Sequence, residues 1–181
     1  MRLIISFTRT DLNFFQEKYI SLEGEKVKIL NKHSMKKFEN KVVVVTGAGG
    51  GLGRAIAVSF AKEGAKLALV DLKEEFLSEI KSEVARLGAE VLTFGADISD
   101  YPTVQNIFQQ TREKWGSVDV ACNNAGVVGI GSIEEITPEE WDRVLGINAK
   151  GVFVCTKAAL EVMKPQGSGA IINTASIAGK M

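Results

Sequence analysis

The sequence predicts a doubly wound α/β fold, a parallel sheet in three layers with helices on both faces. Three observations carry that prediction. Short runs rich in Val, Ile and Leu alternate with amphipathic segments of helix length, glycines stand at the junctions, and Val42-Val43-Val44-Val45 is apolar without alternation, the mark of a strand buried on both faces. Strands separated by helices of this length pair in parallel through right-handed crossovers.

The elements follow in order from about Met35. After the valine run comes a helical pattern over 52–63, closed by Gly64, and a second strand over 66–70. Between Lys73 and Leu87 the apolar residues Phe76, Leu77, Ile80, Val84 and Leu87 share one helical face, and Gly88 ends that helix. A third strand over 90–94, a helix over 103–114 and a fourth strand over 118–122 come next. One long helix over 138–163 then leads to a fifth strand over 170–174, giving βαβαβαβαβ. Ahead of Met35 the pattern is poorer. Thr10-Asp11-Leu12-Asn13-Phe14-Phe15 reads as the start of a short helix capped by Asp11 and stopped near Gly24.

Composition narrows the function classes. The chain has 181 residues with 22 basic and 22 acidic side chains, so no net charge draws it to nucleic acid or to an anionic membrane. No apolar segment reaches the length of a membrane span, and the opening Met1-Arg2-Leu3-Ile4-Ile5-Ser6-Phe7 is too short for a signal core. Cys122 and Cys155 lie in apolar segments at a separation that suits neither a metal site nor a secreted disulfide framework. Free buried thiols in a cytoplasmic protein, with no metal, are the expectation.

Two features carry chemistry. Thr46-Gly47-Ala48-Gly49-Gly50-Gly51-Leu52-Gly53 stands between a buried strand and a helix, where residues without a Cβ let backbone N–H groups approach a pyrophosphate. Its spacing is Thr-Gly-x-x-x-Gly-x-Gly; it is neither a phosphate-binding Gly-Lys-Ser/Thr loop nor the strict Gly-x-Gly-x-x-Gly fingerprint. The bland alternative is a plain glycine turn. Asp71 ends the second strand, 18 residues after Gly53, close to where a dinucleotide fold puts its ribose-binding acid. A carboxylate there repels a 2′-phosphate, so Asp71 argues for NAD over NADP; its bland alternative is a helix cap.

Together with Gly95-Ala96-Asp97-Ile98, Asn123-Asn124-Ala125-Gly126, Asn148 and Ile172-Asn173-Thr174-Ala175-Ser176, these motifs make the chain resemble the short-chain dehydrogenase/reductase family over about residues 36–179. The resemblance implies a single Rossmann-like domain with a nicotinamide dinucleotide along the carboxyl edge of the sheet. It implies that Gly47, Gly51, Leu52 and Gly53 hold the pyrophosphate, that Asp71 holds the adenosine ribose, and that Asp97 and Ile98 flank the adenine. It places Asn124, Ala125 and Gly126 along the cofactor, with Thr46 bracing their turn. Ser176 matches the family's catalytic serine and Asn148 the residue supporting a proton-relay water.

The family's Tyr-x-x-x-Lys pair is not matched. The two tyrosines are Tyr19, with Glu23 four residues on, and Tyr101, with Gln105 four on, and neither follows Ser176. The expectation is an incomplete NAD(P)-binding domain over 35–181, lacking its carboxyl-terminal strands, with an exposed sheet edge, poor solubility and an incomplete surface for the family's usual homo-oligomer. Residues 1–34 are expected to be a poorly ordered extension arising from an upstream start, since Met35-Lys36-Lys37 resembles a family start. The implied activity is hydride transfer between nicotinamide and a small secondary alcohol or ketone. A non-catalytic dinucleotide-binding or interaction fragment is the alternative, and a methyltransferase-type fold is disfavoured because it has no use for the Asn-Asn-Ala-Gly run.

Overall fold

The computed structural model describes residues 4–7, 18–23, 26–31 and 36–176. The chain divides into two units, Met1–Glu39 and Asn40–Met181.

In the first unit, β1 (Ile4–Phe7), β2 (Lys18–Glu23) and β3 (Lys26–Asn31) form an antiparallel sheet in the order β1-β2-β3. This corrects the helix expected between Asp11 and Gly24. Residues 10–17 lie outside the described residues, but 18–23 are strand. The β-branched Ile20, Val27 and Ile29 favour an extended chain, and Glu23 pairs with Lys26 across β2 and β3; Gly24 lies outside the described residues.

The second unit is a five-stranded parallel sheet in the order β6-β5-β4-β7-β8. Its strands are β4 (Val42–Thr46), β5 (Lys66–Asp71), β6 (Val91–Gly95), β7 (Val120–Asn123) and β8 (Ala170–Asn173). The helices are α1 (Gly51–Lys62), α2 (Ser78–Arg86, preceded by a 3₁₀ turn at Glu74–Leu77), α3 (Tyr101–Trp115), α4 (Pro138–Leu145) and α5 (Val152–Gln166). The valine run is the central strand. Val43 pairs with both Leu67 and Val120, and the four valines are at most 1% exposed.

Period-two alternation divides that strand between two layers. Val44 joins Ala68, Ala121, Phe108, Val154 and Ala158 in a core beneath α3 and α5, which sends Val43 and Val45 to the opposite face. Burial of Phe108 alone removes apolar surface worth about 2–3 kcal/mol. Asp100 caps α3 by accepting from the Thr103 amide at 3.2 Å, and Gly116 ends it in the left-handed region.

The long helix expected over 138–163 is interrupted. Between α4 and α5 lies a π-helical segment, Gly146–Gly151. At its end a Cβ on Gly151 would come within 2.6 Å of Ile98 Cδ1, so a bare Cα there admits Ile98 against the helix. A π-bulge in such a helix re-aims the side chains within it.

Candidate functional site

Parallel strands deliver their carboxyl ends to one edge, and where the order reverses, at β4, the connections diverge and leave a crevice. The loops after β4, β5, β6, β7 and β8 enclose a cleft of about 470 Å³ at that edge. Gly47, Leu52, Gly53, Asp71, Asp97, Ile98, Asn124, Ala125 and Gly126 all line it.

Thr46 laces two of these loops together. Its buried hydroxyl donates to the Cys122 carbonyl at 3.4 Å and accepts from the amides of Asn124 at 3.0 Å and Ala125 at 3.1 Å, which uses its one proton and both lone pairs. Asn124 completes the clasp: Nδ2 donates to the Thr46 carbonyl at 3.1 Å, and Oδ1 accepts from the Thr174 hydroxyl at 3.3 Å. β4, β7 and β8 are thereby joined at the cleft floor.

The glycine turn is built by close approach. A Cβ on Gly53 would fall 1.9 Å from the Gly47 carbonyl oxygen, and one on Gly47, where φ is +65°, would fall 2.8 Å from Ala125 Cα. Helix α1 therefore abuts the turn, and the turn abuts the loop after β7. Gly50 and Gly51 face open space instead. Across the mouth, the Asp71 carboxylate accepts from the Gly49 amide at 2.8 Å and from the Leu72 amide at 2.8 Å. Asp97 accepts from the Ser99 amide at 2.8 Å, fixing the loop after β6.

Three expected residues stand apart from the lining. Gly51 opens α1 with φ +51°. Asn148, in the π-helical segment, turns its side chain to Val127, which does line the cleft. Ser176 lies exposed beyond β8. Lining residues that had no role assigned from the sequence are Gly50, Ala96 and Thr174, which belong to the quoted motifs, and Leu72, Val127 and Ile147, which belong to none. Thr174 had a usable signal, since it follows directly on a strand whose carboxyl end had to reach this edge. Tyr101 is elsewhere, on α3, where its hydroxyl donates to Glu161 and Lys157 stands 4.2 Å over its ring. Hydrogen bonding to that carboxylate raises the phenol pKa, with burial adding to the shift.

A parallel sheet flanked by helices, with a glycine turn and an acid-tipped second strand at its carboxyl edge, defines a Rossmann-like nucleotide-binding fold. The sequence pattern of the short chain dehydrogenase family matches residues 41–181, and the chain belongs to that family. It is 45% identical over 146 residues to levodione reductase of Leifsonia aquatica, an alignment covering 79% of this chain and 55% of that protein. It is 38% identical to meso-2,3-butanediol dehydrogenase of Serratia marcescens, covering 79% and 56%. Among solved structures, NAD+-bound xylitol dehydrogenase superposes with a TM-score of 0.77 at 36% identity, covering 80% of this chain and 56% of the other. The chain spans about half the length of the curated relatives it matches. The family's cofactor is a nicotinamide dinucleotide. Among the described residues no helix is long and apolar enough to cross a membrane.

Proposed function

We propose that the chain is the dinucleotide-binding part of an NAD-dependent oxidoreductase that interconverts a small secondary alcohol and its ketone. The observation that carries this reading is the cleft in which the glycine turn, Asp71 and the Asn124-Ala125-Gly126 run meet. Its residues fit the cofactor. Gly50 and Gly51 leave bare backbone toward open space, suited to a pyrophosphate. Ala96 and Ile98 supply apolar surface for an adenine, while the Asp71 carboxylate keeps lone pairs for ribose hydroxyls.

NAD over NADP is supported by charge as well as by Asp71. Arg54, the cation nearest the turn in sequence, is held by two carboxylates: Nη1 donates to Glu79 at 3.1 Å, and Nε and Nη2 reach Glu83 at 2.9 and 2.8 Å. Lys73 lies 5.9 Å from the Phe76 ring centroid. A 2′-phosphate would face Asp71 while Arg54 is engaged by two carboxylates.

When bound, the nicotinamide supplies the hydride donor or acceptor. Ser176 would donate a hydrogen bond to the substrate oxygen and stabilise charge developing there. Asn148 directs one side-chain N–H and one oxygen lone pair to Val127, which leaves its second N–H and lone pair for a relay water. The family's Tyr-x-x-x-Lys pair does not occur in these 181 residues, so we assign the chain by itself cofactor binding with little or no turnover. Small alcohols or ketones are the proposed substrates, the cytoplasm the proposed location and a homo-oligomer the proposed family assembly, without nucleic acid or membrane partners.

Calorimetry of the purified chain with NAD, and with NADP as control, tests the reading. Saturable binding that favours NAD is expected; a folded chain that binds neither would sink it. The second reading, a non-catalytic dinucleotide-binding fragment, rests on the unmatched tyrosine and lysine. Joining the chain to the carboxyl-terminal part of a family member that carries the Tyr-x-x-x-Lys pair, and following NADH absorbance with added alcohols, separates the two: turnover supports the first reading, and NAD binding without turnover the second.

A further inference from the structure

We infer that Asp71 is a positioning residue for the glycine turn as well as a ribose acceptor, so that the adenosine and pyrophosphate parts of the cleft are coupled through one carboxylate. The inference rests on the dinucleotide reading above and deepens it. Its basis is the pair of hydrogen bonds to opposite sides of the carboxylate. Oδ2 accepts from the Gly49 amide, 22 residues back in the turn, and Oδ1 accepts from the adjacent Leu72 amide, both at 2.8 Å.

The contact is built into the packing. A Cβ on Gly49 would lie 2.9 Å from Asp71 Oδ2 and 2.9 Å from the Phe76 carbonyl oxygen. A bare Cα at position 49 is therefore what lets the turn settle on the carboxylate. The neighbouring Ala48 amide donates to the Val70 carbonyl at 3.1 Å, so two consecutive amides of the turn dock on the end of β5. Leu72's amide fixes the carboxylate from the other side, so Asp71 is held between the turn and the segment after β5. Gly50 and Gly51, the next residues in the chain, have open space at their Cβ positions.

Such coupling changes what substitution at this position does. If Asp71 acted by charge alone, removing the charge would weaken NAD and strengthen NADP. With Asp71 also holding the turn, Asp71→Ala releases the Gly49 amide, and both dinucleotides lose the preformed pyrophosphate cradle. Affinity for NAD and NADP should fall together, by about tenfold or more, the scale of a lost hydrogen bond to a charged group.

The test is amide hydrogen exchange on the cofactor-free chain, read by NMR, with calorimetry alongside. In Asp71→Ala the Gly49 and Leu72 amides should exchange about tenfold or more faster than in the wild type while Val44 and Leu69, inside the central strands, keep their rates. Unchanged exchange at Gly49, or a gain in NADP affinity at the expense of NAD, overturns the inference. If Asp71→Ala loses protection in the strands as well, Asp71→Asn decides: its NH2 replaces one acceptor oxygen, so faster exchange at Gly49 supports the coupling and unchanged exchange at Gly49 overturns it. Failure of the wild type to bind NAD would defeat the dinucleotide reading, and the exchange rates would still decide the turn.

Discussion

Asn148 and Val127 exchange two hydrogen bonds in opposite directions: Asn148 Nδ2 donates to the Val127 carbonyl at 2.8 Å, and Asn148 Oδ1 accepts from the Val127 amide at 2.9 Å. A side-chain amide thus does for the loop after β7 what a neighbouring strand would do. Asn148→Ala loses both bonds and should lower stability by about 1–2 kcal/mol in urea denaturation. Asn148→Asp keeps the acceptor but sets an anion against the Val127 carbonyl, so it should cost nearly as much. A wild-type midpoint for both variants would mean that the pair contributes nothing to the loop.

The two ends of the glycine turn should respond very differently to one added methyl group. Gly53→Ala puts its Cβ onto the Gly47 carbonyl oxygen, a backbone atom that cannot swing aside, and about 3 kcal/mol of stability should be lost. Gly50→Ala meets nothing within 4 Å in an extended backbone, and its thermal midpoint should correspond to a change under about 0.5 kcal/mol. Calorimetry on the same pair should show NAD binding abolished in the first variant. Equal melting temperatures would contradict the close approach of α1 to the turn.

Asp119 ties the amino ends of β4 and β7, and its contribution should depend on pH. Burial opposes its ionisation, but hydrogen bonds from Lys41 at 2.8 Å, the Val42 amide at 2.9 Å and Ser117 at 3.0 Å outweigh burial and hold its pKa below the ordinary carboxylate value. A carboxylate depressed by folding binds fewer protons in the native state, so its stabilisation is complete above the unfolded value of about 4 and is lost as pH falls through the folded one. Wild type should exceed Asp119→Asn by about 1–2 kcal/mol at pH 7 and converge with it in acid. A gap that stays constant down to low pH would contradict this.

Cys122 and Cys155 should resist alkylation in the folded chain. Burial pushes the thiols up to about 11 and about 12, so well under about one in a thousand is thiolate at pH 7.5. Iodoacetamide labelling followed by mass spectrometry should report modification only as fast as the core opens, and rapid labelling in guanidinium. Fast native labelling at Cys155, which is fully buried, would contradict the α5 packing.

Much of this architecture was legible in the residues. The valine run identified a central strand because a chain apolar on both faces can only lie between two layers, and glycines at 64 and 88 marked helix ends because left-handed backbone suits them. Nine of the expected cofactor residues meet in one cleft. What stayed hidden was tertiary. Gly146 and Gly151 stood in plain view inside a helical pattern, yet the segment between them is π-helical and Gly151 meets Ile98, a contact between residues 53 positions apart. The Asp71 to Gly49 bond likewise exists only once β4 and β5 are paired. At the amino end, Asp11 and Gly24 suggested a helix because capping signals were weighed above the strand preference of Ile20, Val27 and Ile29.

The strand order β6-β5-β4-β7-β8 has a consequence for how the domain comes apart. β4 has a partner on each side and Thr46 fastened across to β7, whereas β6 and β8 each have one partner, and Ile172 on β8 is half exposed. Warming should therefore peel the sheet from its margins inward. The cleft wall at Ala96–Ile98 and the segment leading to Ser176 hang from the two outer strands and should let go first, leaving the glycine turn on β4 as the last part of the cleft to keep its shape.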